Sequence, residues 1–337
     1  MFFTFIRVIS AVKLNNEKCG LNDKLENPRY IVGGNEAAGP GRWPWACSLG
    51  FLKGSDWEHR CGGSLITYEH LITAAHCVDH FEISKEPFQV RCGDFHLKNA
   101  SDDSNVQIRD VRNHFRFESY NLQLVNNDIA VIHLNHSLTE TPEVRPICMT
   151  KDEHETLTVV GWGYDENQRH GEALKQSDQK RLTPGHCRSK IGIQSWIDLN
   201  GFGEDLFCAA DQTGDESGSC FGDSGGPIFS LNDANEKLQY ELNGIVNGGR
   251  GCGRFNTPDI YTSTTFSPIY DWIVEKVKRK CLPKQECPAI QEVYDVIESD
   301  ATDEEMKEKL KDNLRKLICD RQNKLFYCDA VEKNEKG

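Results

Sequence analysis

Between Ile31 and about Thr262, short apolar and β-branched runs alternate with clusters of Gly, Pro, Asn and Asp. GSLITYEHLITAA (63–75), IAVIHL (129–134), LTVVGWG (157–163) and YELNGIV (240–246) are such runs. Apolar stretches this short, broken at turn formers, predict an all-β sandwich or barrel. The period changes in PIYDWIVEKVKRK (268–280), where Ile269, Trp272, Ile273 and Val277 share one helical face and the last turns are basic. Cations suit the negative end of a helix dipole, so a closing helix is predicted here. Helical spacing returns after Cys281, at Val293, Val296, Ile297, Met306, Leu310, Leu314 and Leu317, in a net acidic segment. With Cys281, Cys287, Cys319 and Cys328 it reads as a small, disulfide-stapled, mainly helical extension, because so small a core needs covalent help.

Composition narrows the class. The chain has 337 residues, 38% of them apolar, enough for a packed core, and a formal net charge of −13. That charge argues against nucleic-acid partners, which are held by Lys and Arg on phosphates. Fourteen cysteines lack the paired spacing of a zinc site and point to an oxidising, extracellular compartment. The start, MFFTFIRVISAV, is apolar but short and interrupted by Arg7, closer to a truncated signal peptide than to a membrane span. Secretion therefore rests on the cysteines more than on the leader. Asn99 (with Ser101) and Asn135 (with Ser137) form glycosylation sequons.

Three strings carry chemistry: TAAHC (73–77), NNDIAV (126–131) and FGDSGGP (221–227). They supply His76, Asp128 and Ser224, a base, a base-orienting carboxylate and a nucleophile. Serine is a poor nucleophile until a neighbouring base takes its proton, and imidazole titrates near neutrality. A buried carboxylate then fixes the ring's tautomer and stabilises its charged form. The glycines of GDSGG allow a tight turn that aims the amides of Gly222 and Ser224 at a developing oxyanion.

On these residues the chain resembles the chymotrypsin-family serine proteases of the trypsin-like fold. IVGG (31–34), WPW (43–45) and CGGSLI (61–66) also stand in family positions, and the likeness covers residues 31 to about 280. The resemblance implies two antiparallel six-stranded β-barrels with the site between them and a C-terminal helix, with no cofactor and no metal. It implies a leader and propeptide over 1–30, a protease domain over 31–280 and the extension over 281–337. The family's disulfides correspond to Cys61–Cys77, Cys187–Cys208 and Cys220–Cys252, with Cys19–Cys148 tethering the propeptide. Cys47 and Cys92 remain, and as they fall on neighbouring strands of the first barrel they are expected to form an extra bridge; two free core thiols are the alternative.

Zymogen activation in the family frees the Ile of IVGG, whose ammonium pairs with the Asp before the nucleophile, here Ile31 with Asp223. Tyr30 intervenes between Arg29 and Ile31. Either the activator cuts after Tyr30, or an aminopeptidase trims it, or the ammonium docks poorly. In the specificity pocket, Gly218 stands where trypsins carry Asp, beside Ser219. Asp259 occupies a pocket-wall position that is commonly Gly; it either reads a cationic side chain or caps pocket backbone. Asn247, Gly248 and Gly249 replace Ser-Trp-Gly, which removes an aromatic wall and predicts weaker or broader substrate binding. Asn247 is expected to support Asp128 through its amide. Asp94, Asp102 and Asp103 lie near the family's calcium loop, but their spacing favours a solvated acidic loop.

The extension, with KCLPKQECPAI, LRKLIC and LFYC, resembles the end of arthropod clip domains, implying Cys281–Cys319 and Cys287–Cys328; an unrelated stapled tail is the alternative. The whole chain reads as a secreted serine endopeptidase, made as a zymogen, that meets protein substrates, an activating protease and serpin-type or other inhibitors, with no membrane partner. The competing reading is a weakly catalytic homologue acting as a cascade adaptor. A lectin-like disulfide protein leaves GDSGGP beside TAAHC unexplained.

Overall fold

The structure is a computed structural model and describes residues 14–16, 18–22, 39–98, 105–120, 126–164, 171–191, 202–211, 218–233, 238–248 and 258–278. Ile31, Asn99, Asp102, Asp103, Gly249, Cys252 and the whole of 281–337 lie outside them, and so do the expectations attached to those residues. Two compact units are distinguished: Lys13–Trp272, which holds both barrels and the candidate site, and Met1–Val12 together with Ile273–Gly337.

Six strands, β1 (Ala46–Lys53), β2 (Asp56–Thr67), β3 (His70–Thr73), β4 (Gln89–Cys92), β5 (Gln107–Arg116) and β6 (Ala130–Leu134), close a first barrel in the order β1-β2-β3-β6-β5-β4. All its pairings are antiparallel. β6 is buried along its whole length, which is why IAVIHL reads as a continuous apolar run rather than an alternating one. Cys47 and Cys92 are direct partners across β1 and β4, and they are joined, as expected, by a disulfide with Cα atoms 4.4 Å apart.

The second barrel comprises β8 (Thr156–Gly161), β9 (Lys175–Arg181), β10 (Leu206–Asp211), β11 (Pro227–Asn232), β12 (Gln239–Gly248) and β13 (Asp259–Ser263), in the order β11-β8-β9-β10-β13-β12, with β11–β12 pairing closing the ring. The pairings within this ring are antiparallel, and the short β7 (Cys148–Met149) adds to β12 in parallel outside it. Among the described residues three helices accompany the strands: α1 (Ala75–Ser84), α2 (Pro184–Ile191) and α3 (Ser267–Lys278). In α3 the predicted apolar face, Ile269, Trp272, Ile273 and Val277, is buried.

The WPW string places Trp43 and Trp45 against Phe229 of β11, with ring centroids 4.8 and 5.3 Å away, and Tyr240 of β12 completes this aromatic cluster. Large apolar rings packed at such tilts contribute beyond their area alone. The segment before the barrels is tied down by the Cys19–Cys148 disulfide. The Asn15 side chain also exchanges two hydrogen bonds with the Met149 backbone, at 2.8 and 2.7 Å. Cys61–Cys77 and Cys187–Cys208 are formed as the family pattern implied, and Cys220 is also disulfide-bonded. Asp94 is buried, its carboxylate 2.6 Å from the Arg91 guanidinium, so it serves an internal ion pair rather than a solvated loop. Asn135 sits half-buried on the bend after β6, its side-chain amide donating to the Asp110 carboxylate at 3.3 Å.

Candidate active site

His76 is the second residue of α1, directly after β3 delivers the chain to the junction of the barrels. Asp128 precedes β6, on a tight turn in which Asn127 has φ 61° and Ile129 N–H donates to Asn127 O at 2.9 Å. Asparagine tolerates this left-handed conformation better than most residues, which gives NND its local meaning. The Asp128 carboxylate accepts two bonds from His76, from the backbone N–H at 2.9 Å and from ring Nδ1 at 2.6 Å. A carboxylate only accepts, so Nδ1 carries the proton and Nε2 presents its lone pair. Burial works against a charged ring, but the charge and hydrogen bond of Asp128, with Asp79 behind, outweigh it and hold His76 above its ordinary value. Asp79 is itself paired with Arg116.

Ser224 lies in the turn ahead of β11. Its carbonyl accepts from Gly62 N–H at 2.8 Å, which pins the nucleophile loop of the second barrel to β2 of the first. The Cys77 sulfur lies 3.6 Å from Ser224 O and 3.7 Å from His76 Nε2, so serine and imidazole flank the same disulfide. Among the described residues no hydrogen bond joins the Ser224 hydroxyl to Nε2; such bonds commonly tighten only around substrate. Gly222 and Gly225 have φ 96° and 77°, which explains the glycines around the serine. In this turn the amides of Asp223, Gly225 and Gly226 are bonded to carbonyls, whereas those of Gly222 and Ser224 have no partner among the described residues. They are the two amides the sequence offers to an oxyanion.

Two further acids are buried beside the loop. Asp223 accepts from Gly163 N–H at 2.7 Å and Cys220 N–H at 2.8 Å. Burial pushes its carboxyl up to about 6, against the pull of those two amides. Asp259, at the start of β13, accepts from the neighbouring amide, Ser219 N–H, at 2.6 Å. Burial raises it to about 7, with Asp223 adding to the shift and Ser219 opposing it. A Cβ on Gly218 would stand 2.6 Å from Asp259 Oδ2, so a side chain at 218 and an acid at 259 compete for one volume. A Cβ on Gly248, by contrast, would meet nothing within 4 Å. The Asn247 amide donates to Thr262 Oγ1 at 2.9 Å, and that hydroxyl donates to the Asp128 carbonyl at 3.1 Å. Asn247 therefore supports Asp128 through Thr262.

One contact the motifs do not foreshadow is the buried chain from Trp57 Nε1 to Ser48 Oγ (2.7 Å), Ser48 Oγ to His59 Nδ1 (2.7 Å) and His59 Nε2 to Gly222 O (2.9 Å). It leans on the carbonyl of Gly222. A lone His on a strand carries no signal of this in sequence, because only the fold brings residue 222 to it.

Fold and site together define the two-barrel serine protease architecture. A family model described as trypsin matches residues 31–273, and the chain belongs to that family. Clotting factor C of Tachypleus tridentatus is 32% identical over 254 residues, which is 71% of this chain but 24% of that protein. Chymotrypsin-C of Mus musculus is 32% identical over 284 residues, 81% of this chain and 98% of the relative. The proclotting enzyme of Tachypleus tridentatus is 32% identical over 273 residues, covering 77% and 68%. The chain thus spans about a quarter of clotting factor C and nearly all of chymotrypsin-C.

Proposed function

We propose that the protein is a secreted serine endopeptidase made as a zymogen. The observation that carries this is the pair of hydrogen bonds that His76 donates to the Asp128 carboxylate, beside a glycine-framed serine. His76 Nε2 takes the Ser224 hydroxyl proton as Oγ attacks the scissile carbonyl. The amides of Gly222 and Ser224 hold the resulting oxyanion, and Asp128 stabilises the imidazolium. His76 then returns the proton to the departing amine, and water repeats the sequence on the acyl-enzyme.

Activation fits the same frame. Asp223 is a buried acid with bonds from backbone amides alone among the described residues, a costly state that an incoming α-ammonium relieves. The ammonium of Ile31 is the proposed partner, released either by cleavage after Tyr30 or by cleavage after Arg29 followed by removal of Tyr30. Disulfides fit an extracellular setting, and protease inhibitors are expected partners. The whole chain, after activation, is expected to hydrolyse peptide substrates while its Ser224→Ala counterpart does not; equal activity of the two would refute the triad assignment.

Asp259 is proposed to read a cationic side chain at the scissile position. The open space at Gly248 supplies a separate expectation. Gly248→Trp places an aromatic side chain at a position whose Cβ meets no described atom within 4 Å, and is expected to lower KM for extended peptides about threefold to tenfold with kcat nearly unchanged, as added uniform binding does. Steady-state kinetics on peptides of increasing length measure this.

A further inference from the structure

Asp205 belongs to none of the sequence motifs, yet it touches the turn that carries Asp128. It immediately precedes β10 in the second barrel and is 5% exposed. Its Oδ2 accepts from Asn127 N–H at 2.5 Å, across 78 residues of sequence. Its own carbonyl accepts from Ser263 N–H at 2.7 Å, so the carboxylate is presented from the junction of β10 and β13. The acceptor therefore stands on a fixed part of the second barrel and reaches into a loop of the first.

The bond goes to the residue that most needs holding. Asn127 is the left-handed residue of the turn, and its geometry sets the direction in which the next side chain, Asp128, leaves the backbone. Asp128 is gripped from its other side by the Thr262 hydroxyl on its carbonyl. The second barrel thus holds the backbone on both sides of the Asp128 Cα, at the Asn127 amide and at the Asp128 carbonyl. Space is reserved for the acid as well. A Cβ at Gly203 would collide with Asp205 Oδ1 and come within 3.1 Å of Asn126 Nδ2. Burial raises the Asp205 carboxyl, the Asn127 amide opposes that, and Asp128 adds to it. Burying a second carboxylate where it feels the charge of Asp128 is unfavourable for the fold alone.

We propose that Asp205 is a positioning residue for the reaction, fixing the Asn127–Asp128 turn so that the Asp128 carboxylate meets both donors of His76. This rests on the proposed triad, in which Asp128 acts on His76 and Asp205 acts only through Asp128. The lesion from losing it falls on turnover, because misaimed catalytic groups cost rate without altering substrate contacts.

The test uses the full chain. Its readouts are kcat and KM after activation and, independently of turnover, the far-downfield proton resonance of the His76 Nδ1–H bond to Asp128. Asp205→Ala is expected to lower kcat about 10-fold to 100-fold with KM within about twofold, and to shift or broaden the resonance. Asp205→Asn, whose amide oxygen still accepts from Asn127, is expected to recover most of the lost kcat. Gly203→Ala keeps the acid but displaces its carboxylate, and is expected to reproduce the Asp205→Ala lesion; it decides the matter if Asp205→Ala does not fold. Wild-type kcat and resonance in Asp205→Ala or in Gly203→Ala would overturn the proposal, as would an Asn variant as impaired as the Ala one. A wild-type chain that shows the resonance but no turnover counts against the endopeptidase reading, and the resonance of the variants then decides the role of Asp205.

Discussion

Asp128→Asn is expected to lower kcat about 10,000-fold, in line with the family's tautomer argument, while leaving KM and the fold nearly unchanged. The wild-type carboxylate receives two donors from one residue, His76 N–H and His76 Nδ1–H. An amide offers one oxygen in their place and turns its NH2 toward the other donor. The ring escapes this clash by moving its proton to Nε2, where the base is needed, and is then no longer a base. The pH profile carries a second signature. Asp128 is the main group holding His76 up against burial, so the acid limb of kcat/KM moves to lower pH in the variant. Steady-state kinetics between pH 5 and 9 measure both effects. Turnover within tenfold of wild type would mean that another group orients His76.

Charge selectivity in the pocket is the second large effect. Burial holds Asp259 neutral until about pH 7, so its charge appears only above that. If Asp259 reads the substrate, the ratio of kcat/KM for a Lys substrate to that for a matched Leu substrate rises as pH climbs through about 7 and levels only above it. Taking the ratio cancels the titration of His76, which serves both substrates equally. Asp259→Asn is expected to flatten the ratio and to lower it about 100-fold at pH 8.5, the order of a lost charge-assisted contact. Gly218→Asp on its own is expected to distort the pocket, because its Cβ would stand 2.6 Å from Asp259 Oδ2, and adding Asp259→Gly to it is expected to relieve that. A ratio that follows the same curve in wild type and Asp259→Asn would assign Asp259 to capping Ser219 alone.

These effects trace what local sequence does and does not carry. TAAHC, NNDIAV and FGDSGGP are legible because each needs its residues side by side: helix start, left-handed Asn and positive-φ glycines are all local demands. The short strands were legible for the same reason, as was α3, whose apolar face follows one helical period. Cys47–Cys92 was inferable because the two cysteines fall on adjacent strands, and the register makes them direct partners. Asp205 was not legible, since its partner Asn127 lies in the other barrel and nothing in LFCAAD marks the residue before it. The same holds for His59 against Gly222 O and for the route from Asn247 through Thr262. Asp94 was misread as solvated because its acidic neighbours in sequence hid the Arg91 that faces it three residues earlier. Register across barrels, rather than composition, fixes such contacts.

Reaction with an organophosphonate tests the central proposal most directly, because it reports the activated serine without assuming a substrate. After release of the Ile31 terminus, the full chain is expected to take up one phosphonyl group at Ser224, located by peptide mass, and the Ser224→Ala and His76→Ala chains none. Correctly processed wild-type chain that takes up no label would contradict the account and favour a binding adaptor that keeps the protease fold.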